Sequence, residues 1–372
     1  MIIISIFCKV IDNFGDIGVC WRLAQNLAFD DINYNINLYI DDLKSLYYIA
    51  QNDIFLNPSI TNSKIILNNI NVIYWENNDI NYDNASYVIN AFACKLPEKY
   101  QNDMPANVKW IQLDYLATEE WANEYHGLHA FIGQHKRIFF TPGFTSRTGG
   151  LITRDFIKIN AADKQNLCEK YKINYFGLDQ KNINIFIFAY INHKVTQVIQ
   201  DLYNTCLNLD YKLNIYMPDS VYNVFIEYVN KNNIKFTYKI NILKACSQSD
   251  FDNILQLFDI LWVRGEDSFI RAQLTSIPMI WQAYTQSNNV HLDKVNGFLT
   301  NYLEFFQAEH KYIIKNLWLN INDINGNVDN FDTHVWEKFI LILNNKNFRN
   351  SLENWSDYLK KLPKLTQELI KA

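Results

Sequence analysis

Apolar residues along this chain gather into short runs, separated by segments whose apolar positions recur at helical spacing. Residues 2–11 begin with a nearly unbroken apolar run and are predicted to form a buried strand. Over residues 17–28, Ile17, Trp21, Ala24 and Leu27 or Ala28 repeat at helical intervals. Further strands are predicted at 36–40, 72–75, 86–90, 108–113 and 137–141. Most are continuously hydrophobic rather than alternating, as parallel strands buried on both faces require. The first half therefore reads as a doubly wound α/β sheet.

Residues 154–180 are polar and helix-like, which places the inter-domain connection there. A second βα series follows. Strands are predicted at 182–190, 211–217 (closed by Pro218), 235–243, 260–263 and 278–284. Helices are predicted at 195–207, 220–230, 250–257, 267–276 and 290–306, and everything after residue 330 reads as helical. The expected organisation is an α/β protein of two Rossmann-like domains facing across a cleft, with a helical C-terminal tail. The predicted bounds are 1–155, 181–345 and 346–372, the last being helices that could pack back on the first domain.

Composition narrows this picture. At 372 residues the chain exceeds one ordinary hydrophobic core. With 49% hydrophobic and 20% charged residues it is globular in composition, and 11 glycines and 7 prolines leave little room for long linkers. The net charge of −5 and the absence of a basic stripe exclude a general nucleic-acid binder. Six cysteines lie far apart with no C-x-x-C pair, which fits neither a zinc site nor a disulfide framework and points to a reducing compartment. The apolar N-terminal run has no basic leader, and no stretch approaches the roughly 18 apolar residues of a membrane span, so a cytoplasmic protein is expected.

Two loops could carry chemistry. The first follows the opening strand and contains Asp12, Asn13, Phe14, Gly15 and Asp16. It lacks the G-x-G-x-x-G of a dinucleotide site. Gly15 permits a sharp turn, and Asp16 could simply be the N-cap of a helix beginning at Ile17. Two carboxylates on one short loop nevertheless exceed what a cap requires, and such a pair suits one member to proton transfer. In the second loop, Arg264, Gly265, Glu266, Asp267 and Ser268 join a buried strand to a helix that Asp267 or Ser268 could cap. Free N–H groups at that helix start favour a phosphate, and Arg264 could add bidentate bonds to a diphosphate. Glu266 would repel such an anion and suits sugar hydroxyls or a cationic acceptor. An ordinary capped helix with a surface ion pair is the plainer reading of that loop.

Other features are weaker. Phe188 and Tyr190 end a strand, where they could wall a base or belong to the core. His126, His129 and His135 share no helix-face spacing with a carboxylate, so no metal site is expected. His291 reads as structural, Cys94 has no evident activating base, and residues 141–150 form a turn-rich segment suited to a cleft loop.

The runs 11–19 with 21–24, and 263–273, resemble the protein-arginine rhamnosyltransferases of bacterial translation elongation factor P. So do 91–97, 142–145 with 148–151, and Ser247 and Gln248 followed by 250–252, in order from about residue 4 to 300. The resemblance implies a GT-B fold and transfer of rhamnose from dTDP-β-L-rhamnose to one arginine of elongation factor P, with inversion and no metal or other cofactor. It implies that Asp16 is the general base, supported by Asp12, and that Glu266 is a second essential carboxylate. Residues 13–15 fall with them on the acceptor loop. Arg264, Gly265, Asp267 and Ser268 become diphosphate contacts, and Phe188, Tyr190 and Gln248 become thymidine contacts. Where the family usually has Phe three residues before that Gln, this chain has Ala245, so part of the base-stacking wall is missing or supplied elsewhere. Two alternatives stand beside this reading: a GT-B enzyme using another nucleotide sugar on a small molecule, and a non-catalytic module that binds a translation factor.

Overall fold

The computed structural model describes residues 1–11, 14–50, 65–67, 69–75, 80–153, 156–174, 181–286, 289–324, 332 and 334–372. The chain divides into two compact units. Unit 1 comprises Met1–Asp155, Cys246–Gln248 and Lys361–Ala372; unit 2 comprises Phe156–Ala245 and Ser249–Lys360.

Unit 1 begins with β1 (Ile2–Cys8), α1 (Phe14–Asp30), β2 (Tyr34–Ile40) and α2 (Leu43–Ile49). It continues through β3 (Ile65–Leu67), β4 (Ile70–Tyr74), β5 (Tyr87–Ala91), α3 (Glu98–Asp103) and β6 (Lys109–Leu113). The segment α4 (Ala122–Tyr125), β7 (His129–Ile132) and β8 (His135–Phe140) follows. The eight strands form one sheet in the order β3-β4-β2-β1-β5-β6-β8-β7. All pairings are parallel except β3 with β4 and β7 with β8. Without those antiparallel edges, the order is that of a doubly wound dinucleotide-type sheet, reversing between β1 and β5.

Unit 2 opens with α5 (Ala161–Tyr171), β9 (Asn182–Ile187), α6 (His193–Asn208), β10 (Lys212–Pro218) and α7 (Asp219–Lys231). Next come β11 (Ile240–Leu243), α8 (Gln248–Ile254), β12 (Ile260–Arg264), α9 (Asp267–Leu274) and β13 (Met279–Gln282). Helices α10 (Val290–Tyr302), α11 (Ala308–Asn322), α12 (Val335–Ile342) and α13 (Lys346–Lys361) complete it, and α14 (Leu365–Lys371) lies in unit 1. Its five strands are all parallel, ordered β11-β10-β9-β12-β13, so the winding reverses between β9 and β12. Both predicted βα series are therefore present, built on parallel strands, with an antiparallel strand added at each edge in unit 1. The helix α11, with Ile314, Leu317, Trp318 and Ile321 buried, was not anticipated. Among the described residues no helix is long and apolar enough to cross a membrane.

The helix-facing core of unit 1 packs Ile4 and Ile6 of β1 and Ile36 and Leu38 of β2 against Ile17, Trp21 and Ala24 of α1. These are the residues whose spacing predicted α1. Leu365 and Leu369 of α14 join the same core, and Tyr87 Oη donates to the Ile370 carbonyl at 3.0 Å. The chain reaches α14 through a close backbone contact. Leu151 N–H donates to the Pro363 carbonyl at 3.2 Å, and Leu365 N–H donates to Leu151 at 3.2 Å. Gly150 makes this possible. Its φ is +72°, and a Cβ there would lie 1.9 Å from the Pro363 carbonyl oxygen. Gly150→Ala should therefore cost about 2–5 kcal/mol from left-handed backbone strain and overpacking. Urea unfolding of the variant against the parent chain measures that loss.

Candidate active site

Where winding reverses, the crossovers on either side leave in opposite directions, and a crevice opens beyond the carboxyl ends of the two central strands. In unit 2 those strands are β9 and β12. Arg264 is the last residue of β12, while Phe188 and Tyr190 follow β9. The Arg264 guanidinium carbon lies 4.6 Å from the Phe188 ring centre and 4.5 Å from that of Tyr190. Nη1 also donates to the Ala189 carbonyl at 3.3 Å. Each aromatic face contributes about 0.5–2 kcal/mol to holding the cation. The platform is itself fixed, because buried Gln282 accepts from Tyr190 N–H at 2.8 Å and donates to its carbonyl at 3.0 Å. Tyr284, which the sequence reading missed, meets Tyr190 edge-on at 5.4 Å.

Gly265 turns the chain with φ +68°, and its carbonyl accepts from Trp281 Nε1 at 2.9 Å. The cap expectation fails here. Glu266 occupies the N-cap position and makes no side-chain cap bond, Asp267 is the first helical residue, and the Ser268 hydroxyl turns back to donate to the Arg264 carbonyl. Glu266 Oε1 instead accepts from Lys294 Nζ at 3.3 Å. Behind the loop, α9 is anchored by Arg271, fully buried, whose Nη2 donates to Asp252 Oδ2 at 2.7 Å. Trp355 Nε1 of α13 donates to Gln273 Oε1 at 2.8 Å, and Ser356 Oγ donates to the Leu274 carbonyl at 3.0 Å.

Ala245 is exposed and offers only a methyl group. Phe251 lies with its ring 6.0 Å from Phe188 and 5.8 Å from Phe186, so an aromatic surface persists beside Phe188 without it. Gln248 groups with unit 1, where Nε2 donates to the Gly18 carbonyl at 2.9 Å.

In unit 1 the reversal lies between β1 and β5. The chain leaving β1 is held by two carboxylates: Asp41 Oδ1 accepts from Val10 N–H, and Asp16 Oδ2 from Ile11 N–H, both at 2.8 Å. Helix α1 starts at Phe14, so Asp16 is not the N-cap of a helix beginning at Ile17; it is a buried residue of the first turn. The apolar repeat starts at Ile17 and conceals that extra turn. A carboxylate there still suits the positive helix end. Gly15, also in that turn, is exposed; Asp12, Asn13 and the Phe14 side chain lie outside the described residues.

Beyond β5, Phe92 and Ala93 both adopt φ of 55°, a strained pair for side-chain-bearing residues, and Phe92 stacks on Tyr115 at 4.5 Å. Asp114, just past β6, accepts from Gln112 Nε2 at 2.8 Å. Burial pushes its carboxyl up, against the Gln112 bond and the Arg137 charge. It is a further carboxylate on this sheet edge, and a lone Asp between apolar residues gave no sequence signal.

The other candidates are structural. The Cys8 thiol is pushed well up by the adjoining Cys20, by burial and by the Asp16 and Asp41 charges, and burial pushes Cys94 up to about 12. Both stay protonated at neutral pH. His126 Nδ1 accepts from Thr141 N–H, and a buried His291 ring nitrogen bonds the Asn322 carbonyl. Among the described residues no group of three or more His, Cys, Asp or Glu is placed to hold a metal ion.

Residues 4–372 match the family of the elongation-factor P (EF-P) rhamnosyltransferase EarP. The chain belongs to this family. A protein-arginine rhamnosyltransferase of Shewanella oneidensis (strain MR-1) is 30% identical over 86% of this chain and 89% of its own length. Its counterpart in Pseudomonas putida (strain KT2440) is 31% identical over 80% of this chain and 81% of its own. A solved structure reported as "Structural basis for EarP-mediated arginine glycosylation of translation elongation factor EF-P" superposes with a TM-score of 0.61 at 20% identity. It covers 100% of this chain and 98% of that one. The fold is thus GT-B, as the resemblance implied, and the chain is a glycosyltransferase of the protein-arginine rhamnosyltransferase type. Membership of an enzyme family sets aside the non-catalytic module.

The anchoring of α9 can be tested separately from catalysis. Arg271→Met removes the buried cation bonded to Asp252 and should cost about 3–5 kcal/mol. Pairing it with Asp252→Leu should recover much of that loss in urea unfolding.

Proposed function

We propose that this enzyme transfers L-rhamnose from dTDP-β-L-rhamnose to an arginine side chain of translation elongation factor P, inverting the anomeric centre. The observation that carries the donor side is the Arg264 guanidinium, packed against the rings of Phe188 and Tyr190 at the winding reversal beside the start of α9. A fixed guanidinium and a helix N-terminus together form a diphosphate site. Gly265, Asp267 and Ser268 line that site, and Phe188, Tyr190 and Gln248 are assigned to the thymidine. The family's rhamnosyl activity supports the sugar, and its EF-P designation supports the acceptor.

On the acceptor side the difficulty is the nucleophile. A guanidinium is protonated, with a pKa above about 12, and a carboxylate must hold it and take its proton as the bond forms. Asp16, fixed through Oδ2 to the Ile11 N–H, is assigned as that base, with Asp12 in support and residues 13–15 shaping the acceptor loop. Glu266 is assigned to the acceptor cation. In a single displacement an arginine nitrogen bonds to the anomeric carbon, the carbon–oxygen bond to the diphosphate breaks, and the proton passes to Asp16. Arg264 and the α9 N-terminus take up the charge of the departing dTDP, so the scheme requires no metal. One displacement gives inversion.

Asp16→Asn should keep dTDP binding, read by tryptophan fluorescence, while turnover falls about 10²–10⁴-fold. Near-normal turnover would refute Asp16 as the base. Arg264→Lys loses the planar fork and should weaken dTDP about 10- to 100-fold. The reaction itself is decided by intact-mass analysis of elongation factor P incubated with enzyme and dTDP-rhamnose. A mass gain of one deoxyhexose on an arginine supports the proposal. An unchanged acceptor together with transfer of another sugar to a small molecule would replace it.

A further inference from the structure

Glu266 has a partner that nothing in the loop sequence announces. Lys294 lies in the second turn of α10, and its Nζ is 3.3 Å from Glu266 Oε1, with both side chains half-buried. The helix that carries it is held firmly. Phe298, one helical turn further along the same face, packs edge-on against Phe269 of α9 at 4.7 Å and stacks parallel to Trp318 at 5.4 Å. His291, one turn earlier, is buried and bonded to the Asn322 carbonyl. Lys294 therefore projects from a face fixed against the helix that begins at the Arg264 loop.

Charge gives this contact its meaning. Glu266 and Asp267 both lie at the start of α9, where a donor diphosphate would meet their negative charge. Glu266 is only two residues from Arg264, the cation assigned to that diphosphate, and a carboxylate with no other cation would compete for it. We propose that Lys294 is a positioning residue for transfer: it holds the Glu266 carboxylate from the α10 side, so that Glu266 serves the acceptor guanidinium and Arg264 serves the donor. This rests on the roles of Glu266 and Arg264 given above.

The test compares four variants of the full chain, Lys294→Met, Lys294→Arg, Glu266→Gln and the double variant Lys294→Met/Glu266→Gln. The readouts are kcat and KM for dTDP-rhamnose and for elongation factor P, with Tm and dTDP binding alongside. Lys294→Met should lower kcat/KM about 10- to 100-fold, the range that a coupled charge pair supports, and should weaken dTDP binding while Tm stays near the parent value. Lys294→Arg should restore most of the activity. The double variant should be no slower than Glu266→Gln alone, because a residue that acts through Glu266 has nothing left to position. Near-parent activity in Lys294→Met beside a slow Glu266→Gln overturns the inference and leaves the role of Glu266 intact. Losses that multiply in the double variant also overturn it. Parent-like activity in Glu266→Gln removes the role of Glu266 and the inference together. If Lys294→Met lowers Tm, Lys294→Arg decides: a stable but inactive Arg variant overturns the proposal, and a stable active one supports it.

Discussion

The constraint on which the rest depends is the single reversal of winding in each parallel sheet. Crossovers between parallel strands must run back over one face or the other, and the change of side leaves one pair of strand ends uncovered. In unit 1 that pair is β1 and β5; in unit 2 it is β9 and β12. Chain just beyond those ends can meet a ligand without displacing packed helices. The two loops singled out in the sequence leave β1 and β12. Their positions follow from strand order, whatever their side chains.

Within that frame, unit 2 treats its cation with care. Arginine is weakly hydrated and planar, so aromatic faces pack well against it. Phe188 and Tyr190 place their rings against Arg264, and Gln282 fixes Tyr190 by both its N–H and its carbonyl. Trp281 extends the same economy: its ring stacks on Phe269 at 4.1 Å in the core, while its N–H holds the Gly265 turn.

Much of this was legible in the sequence, and what was not has a common cause. Continuous apolar runs gave the parallel strands, because burial on both faces leaves no room for alternation. The composition of the 264–268 loop suggested the anion site proposed for it. The start of α1 was misplaced because its first turn, from Phe14 to Asp16, lacks the apolar repeat that marks the rest. Asp267 and Ser268 were misread as caps because cap residues are recognised by type, whereas the Ser268 hydroxyl chose a carbonyl four residues back. Phe188 and Tyr190 were identified as aromatics, but their partner Arg264 lies more than seventy positions away, a contact that no local pattern encodes. Lys294 and Asp114 were missed for the same reason. A lone lysine in a helix and a lone aspartate after a strand acquire chemistry only from their neighbours in space.

The two carboxylates proposed for the acceptor each have a contact that fixes them. Asp16 is held by a neutral backbone N–H in the first turn of a helix whose next residues are core. Glu266 is held by an ammonium, which fixes position and balances charge at once. That balance matters for the proposed donor site, beside which an unbalanced carboxylate would oppose a diphosphate on one side and draw on Arg264 on the other. On that proposal, a loop that holds an anion and a carboxylate together needs two cations on separate elements. Arg264 at the end of β12 and Lys294 on α10 meet that requirement.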